Sequence, residues 1–201
     1  MSRLKPIRWV FCAFVLCTGS LAGTAADRPA SPSTGPTFTL SQFTPGQPLH
    51  IVAYGDSRFT DLSVNSGTNP RVRQWLAEQI GKISPQVLLI TGDTPYTGAK
   101  EADWIEFAKE TASWRSDHIV QLPTIGNHEV YGGPGGIANY LKYFPETRGH
   151  RDYSALLGNV EVISLDMTTS RYIPVGQSQW FDAQLDHVPT QVQFIFILYH
   201  L

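Results

Sequence analysis

Thiols are almost absent from this 201-residue sequence: its two cysteines, Cys12 and Cys17, both fall in the first 17 positions. The rest of the chain can therefore hold neither a disulfide framework nor a thiolate metal site. Charge is also sparse, at 16% Asp, Glu, Lys and Arg, with 15 basic against 17 acidic residues. Without residues 1–26, which carry Arg3, Lys5 and Arg8 and no acid, 12 basic residues face 17 acidic ones, a net of −5. No basic patch remains to track a phosphate backbone, so nucleic acid is not an expected partner. A comfortable membrane span is lacking as well, although an uncleaved N-terminal anchor is the alternative reading of the first segment. The apolar run Trp9–Leu16 is far shorter than the roughly 20 residues that cross a bilayer. With basic residues before it and Thr24-Ala25-Ala26 after it, residues 1–26 instead read as a secretory signal peptide. That layout predicts a secreted or periplasmic protein. No stable membrane span is expected after cleavage.

What is present is a repeated rhythm. Residues 27–48, DRPASPSTGPTFTLSQFTPGQP, read as a Pro/Ser-rich linker. One domain is then expected over 49–201. HIVAY (50–54) is strand-like and ends in Gly55-Asp56. Asn69-Pro70 has the form of a helix start, and Val72, Trp75, Leu76, Gln79 and Ile80 recur at helical spacing to about Lys82. Strand VLLIT (87–91) runs into Gly92-Asp93, and a helix fits Ala102–Trp114 with Ile105, Ala108 and Ala112 on its apolar face. HIVQLPTI (118–125) ends in Gly126-Asn127-His128. Residues 132–150 read as a long loop with a helical turn near Ile137–Phe144. NVEVISLD (159–166) reads as a strand with one more exposed face, Gln177–Leu185 as a helix, and QFIFILYH (193–200) as an apolar strand. Strands alternating with helices predict an α/β protein, and the continuous apolar strands predict sheets covered on both faces.

In such sheets ligands gather beyond the carboxyl ends of the strands. Those ends offer Asp56, Asp93, Tyr96, Asn127, His128 and His200. Carboxylates are rarely buried without a partner or a cation. Glycine before a polar residue allows a sharp turn and a close approach of backbone to ligand. Hard oxygen donors mixed with imidazole suit a dinuclear site for Fe, Zn or Mn. Taken singly, each piece has a plainer meaning: Gly-Asp as a turn, Tyr96 as a packing aromatic, His200 as a core histidine. His50 and His118 read as strand boundaries, His150 as loop, and Asp166 as a turn or cap. Trp75, Trp104, Trp114 and Trp180 read as core or helix-packing groups.

The series GD…GDxxY…GNHE…(I/V)xxH resembles the calcineurin-like metallophosphoesterases, and its GDxxY resembles their purple acid phosphatase branch. YSALLGNVEVISLD (153–166) and QSQWFDAQL (177–185) are also similar to that pattern, so the resemblance covers about residues 50–200. It implies a metallophosphoesterase-type β-sandwich flanked by helices, and hydrolysis of phosphate esters at two metal ions, Fe with Zn, Mn or Fe. It implies that Asp56 and Tyr96 bind the first ion, that Asp93 bridges both, and that Asn127 and His200 bind the second. His128 would contact the phosphate and protonate the leaving alkoxide.

Two departures stand out. Arg58 takes a position where many metallophosphoesterases have His and purple acid phosphatases usually have Gly. Arg58 is expected either to bind the substrate phosphate or to form a rim salt bridge. The family's GHxH, which gives one imidazole to each ion, does not occur before Leu201, so the sequence reads as a fragment of a longer hydrolase. Two other readings follow. One is a phosphodiesterase or nucleotidase with the same site, and the other is an inactive remnant that folds poorly or holds one metal weakly.

Overall fold

The structure, a computed structural model, describes residues 35–169 and 172–201; the expected signal peptide and both cysteines lie outside them. Its layering follows from side-chain parity along one strand. Strand β3, Val87–Ile90, is buried at every position. Leu88 and Ile90 face a cluster built from helices, whereas Val87 and Leu89 face a second sheet. A strand buried on both faces needs a layer on each side.

β3 is the centre of a three-stranded parallel sheet, between β2, Ile51–Tyr54, and β4, Val120–Pro123. The other sheet has four strands: β1 (Thr37–Thr39), β5 (Tyr153–Leu157), β6 (Val160–Ser164) and β7 (Phe194–Leu198), ordered β1-β5-β6-β7. Only β5 and β6 are antiparallel. Phe38, Val87, Leu89, Leu122, Tyr153 and Val162 fill the space between the sheets. Helices α1 (Pro70–Ile83), α2 (Glu101–Glu110), α3 (Ala112–Ser116) and α5 (Gly135–Tyr143) lie beside the three-stranded sheet, where Trp104, Phe107, Trp114 and Phe144 pack as one aromatic cluster. Both indoles of this cluster have partners: Trp104 donates to Gly98 O at 2.7 Å and Trp114 to Ala77 O at 3.0 Å. Helix α6, Val175–Asp186, covers the far face of the four-stranded sheet through Trp180 and Ile163. The protein is thus an α/β sandwich of two sheets flanked by helices.

Several expectations need correction. Helix α1 starts where expected, with Asn69 accepting from Val72 N–H at 3.2 Å and Pro70 in the first turn. Its buried face, however, is Pro70, Arg73, Ala77 and Ile80, and Val72 and Trp75 point to solvent. The cause is Arg73, which is buried because it is paired. It meets Glu110 and donates to the carbonyls of Arg58 and Thr60. The 102–114 helix breaks at Thr111 into α2 and α3, and Ile105 is exposed while Asp103, Trp104 and Phe107 face inward. β6 is buried throughout, without the expected exposed face, because the sheets and α6 cover both of its sides. Within the proposed linker, Thr37–Thr39 pairs in parallel with β5, and Phe38 stacks on Tyr153. The loop expected over 132–150 contains the nine-residue α5.

Parallel register places the strand ends side by side. Tyr54 is level with Ile90, and Ile90 with Pro123. In the second sheet, Ser164 is level with Leu198. Asp56, Asp93, Asn127 and His200 follow Tyr54, Ile90, Pro123 and Leu198 within a few residues.

Candidate metal centre

The first two strand tips are tied backbone to backbone. Asp56 N–H donates to Gly92 O at 3.0 Å, and Arg58 N–H donates to Asp93 O at 2.9 Å. Asp56, Arg58 and Asp93 all have left-handed backbone, with φ of 51°, 46° and 56°. Three non-glycine residues in that region within one small volume are a local strain that the surrounding hydrogen bonds must hold in place.

Asp93 is the hub, and its carboxylate has no solvent exposure. One oxygen, Oδ1, accepts from His128 N–H at 3.0 Å and lies 3.3 Å from His200 Nε2. The other, Oδ2, lies 3.2 Å from Arg58 Nη2 and 3.8 Å from His128 Nε2. Asp56, Asp93 and His200 each present a ligand atom, all within 4.8 Å of one another. Two glycines make this crowding possible. A Cβ on Gly92, where φ is 88°, would lie 2.8 Å from His200 Nδ1, and a Cβ on Gly126 would lie 2.5 Å from Asp93 Oδ1.

The imidazoles are oriented by what holds their other nitrogens. His200 Nδ1 meets Thr91 O at 2.8 Å. A carbonyl only accepts, so Nδ1 carries a proton and Nε2 is the nitrogen left facing Asp93, where a cation between them would meet it. His128 Nδ1 meets Tyr96 O at 2.6 Å, and its Nε2 faces Asp93 Oδ2 at 3.8 Å. Hard oxygens plus an imidazole nitrogen, converging on one spot, fit a divalent or transition-metal cation.

The structure thus brings together Asp56, Arg58, Asp93, His128 and His200. Tyr96 adjoins them: its ring packs edge-on against His128, with centroids 5.7 Å apart. Asn127 opens the short helix α4, Asn127–Val130, between Gly126 and His128, which both touch Asp93, and it is exposed. Arg58 is not on the rim. Its side chain is 26% exposed, is turned inward, and lies 3.9 Å from Asp56 as well. Asp166 closes a turn by accepting from Thr168 and pairs with Arg151, apart from the centre.

Three supports were not singled out from the sequence. Glu129, fully buried, accepts backbone N–H groups from Asp93, Thr94 and Gly126 at 3.0, 2.7 and 2.8 Å, clasping the second and third strand tips together. Burial pushes its carboxyl up to about 7, the Asp93 charge adds to the rise, and the three N–H groups oppose it. Asp103 joins the first tip to the second, accepting from Thr60 Oγ1 at 2.7 Å and from Thr97 N–H at 2.9 Å. Arg73, through its bonds to the Arg58 and Thr60 carbonyls, fixes the loop that carries Asp56. A signal existed for Asp103 and for Glu110, the partner of Arg73. Asp103, Phe107 and Glu110 recur at i, i+4, i+7 on one helix face, and a charged residue on a core stripe calls for a buried partner.

The calcineurin-like phosphoesterase family profile matches residues 49–191. No curated protein matches the chain. Among solved structures, a purple acid phosphatase from yellow lupin (Lupinus luteus) seeds is similar over 78% of this chain and 31% of its own, at 16% identity and a TM-score of 0.58. A dimetal phosphatase from Danio rerio aligns over 69% of this chain and 52% of its own, at 14% identity and a TM-score of 0.44. The chain therefore spans about a third and about half of the lengths of these two proteins. The lupin enzyme shares the fold. The family profile spans the strand tips that carry Asp56, Asp93, Asn127 and His128, and on that match this chain belongs to the calcineurin-like phosphoesterase family.

Proposed function

We propose that the protein hydrolyses phosphate esters, monoesters foremost, at the cation centre around Asp93. One observation carries the reading: His200 and the carboxylates of Asp56 and Asp93 converge within 4.8 Å, with the imidazole oriented by the contact of its Nδ1 with Thr91 O. The resemblance implies two ions, Fe with Zn, Mn or Fe, with Tyr96 and Asn127 as further ligands; the reading itself requires at least one cation at Asp93. A cation held there would supply Lewis acidity to a phosphoryl oxygen and to the attacking water.

The protein's own groups do the rest. Asp56 is the open side of the site, with its side chain 57% exposed, so an anionic ester approaches from there. Asp93, buried and clasped from below by Glu129, stays fixed as the ester binds, which holds the reacting groups in line. His128 Nδ1 is committed to Tyr96 O, so any proton it transfers moves through Nε2. In its imidazolium form His128 donates that proton to the leaving alkoxide. The signal-peptide reading of residues 1–26 agrees with an enzyme that works outside the cytoplasm.

The test is para-nitrophenyl phosphate hydrolysis by the purified chain with added Mn²⁺, Zn²⁺ or Fe. The expected result is turnover that a chelator stops and that Asp93→Ala abolishes. His128→Ala should lower kcat by about 10²–10⁴-fold for a poor leaving group and much less for a good one, as loss of a general acid predicts. Turnover that persists in chelator, or in Asp93→Ala, would refute the reading.

A further inference from the structure

Arg58 is a residue the hydrolase reading leaves without a clear task, and its placement is unusual. Its guanidinium is turned into the site. Nη2 stands 3.2 Å from Asp93 Oδ2 and 3.9 Å from Asp56 Oδ1, between the two carboxylates. We infer that Arg58 occupies one of the two cation positions of the centre, so that this protein takes a single metal ion on the His200 side of Asp93, with the guanidinium as the second positive charge. This inference rests on the hydrolase reading and specifies its metal complement.

Four observations support it. First, Asp93 divides its oxygens between two environments. Oδ1 faces His200 and the His128 N–H, whereas Oδ2 faces Arg58 and, beyond it, Asp56. A bridging carboxylate is laid out in this way, with a cation on each side, and here one side already holds a cation. Second, the space is shared. A metal ion bound by Asp56 and Asp93 sits about 2.0–2.2 Å from each oxygen, within the gap that Nη2 enters. Third, the arginine is built into the site at a cost. Its backbone is left-handed at φ 46°, its N–H is held by Asp93 O, and its carbonyl is held by Arg73. Its Nε is buried with no hydrogen-bond partner. An orphaned buried donor is tolerated when the rest of the group is placed for a reason. Fourth, the charges balance for one ion. Two carboxylates and one guanidinium leave a single negative charge, which one divalent ion turns slightly positive. A second divalent ion would add two further positive charges next to a fixed guanidinium, and like charges at this separation oppose binding.

The proposal deepens the substrate reading as well. A guanidinium in the floor of the site, beside the ion, presents hydrogen-bond donors to a phosphoryl oxygen from the position where a metal would coordinate it. Binding of the ester then depends on a planar donor group at one pole and a metal at the other.

The experiment is a metal count on the purified full chain. Metal-free protein is loaded with Zn²⁺ or Mn²⁺, freed of excess, and analysed by elemental mass spectrometry, with isothermal titration for site number. The expected result is one tight ion per chain for the unaltered protein, two for Arg58→Gly, and one for Arg58→Lys, which restores the charge. Glycine suits the left-handed backbone at this position, so Arg58→Gly should fold. Arg58→Gln serves as a second neutral variant, and circular dichroism confirms a native fold for each. Two tight ions in the unaltered chain, or no second ion in either folded neutral variant, would overturn the inference and leave the hydrolase reading standing. No tight ion in any form would overturn both.

Discussion

Glu129 offers a thermodynamic test of how the strand tips are held together. Its carboxyl is raised from 4.5 to about 7, first by burial and then by the Asp93 charge. A folded-state value above the unfolded one means that the folded chain holds the proton more tightly. The associated stability is therefore complete below pH 4.5 and is lost as pH rises through about 7. The difference of about 2.5 units, at 1.36 kcal/mol each, gives about 3 kcal/mol. Glu129→Gln removes the titration and keeps the shape. Its amide oxygen still accepts from Asp93 and Gly126, while its NH₂ faces the Thr94 N–H that Oε1 now satisfies. That mismatch is a pH-independent cost of about 1–3 kcal/mol. The assay is urea unfolding of both proteins in chelator, at intervals from about pH 4.5 to about pH 8. The advantage of the unaltered chain over Glu129→Gln should shrink by about 3 kcal/mol across that range. Parallel pH profiles for the two proteins would refute the reasoning, because they would mean that Glu129 is not a buried acid clasping the loops.

Two more outcomes test the frame of the site. Glu110→Ala leaves the buried Arg73 guanidinium without its carboxylate and should cost about 3–5 kcal/mol in urea unfolding, with Arg73→Met in the same background recovering part of the loss. Gly92→Ala puts a Cβ against His200 in a backbone at φ 88°. It should weaken Zn²⁺ affinity by about 10–100-fold in competition with a chromogenic chelator, the scale set by disturbing a ligand's support; unchanged affinity would show that His200 is not a ligand.

Much of this protein was written in its local sequence. Strand and helix alternation, the Asn69-Pro70 helix start and the burial of Val87–Ile90 all follow from residue periodicity and capping, which act over a few neighbours. The candidate centre was legible for the same reason. Each contributing residue follows a strand, usually after a glycine, and parallel strands in register must bring their ends together. Other features were decided only by the fold. Local periodicity put Val72 and Trp75 toward the core of α1, but Arg73 took that place because Glu110, 37 residues away, and the loop carbonyls of Arg58 and Thr60 satisfy its charge. Glu129 could be seen in GNHE, yet its role depends on N–H groups from Asp93 and Thr94 that only the folded chain brings within reach. Arg58 shows the limit most clearly. The sequence alone determined that a cation follows Asp56 by two residues. Whether that cation faces a substrate, the rim or the two carboxylates was left to tertiary structure, because a long side chain settles where distant groups create the deepest electrostatic well.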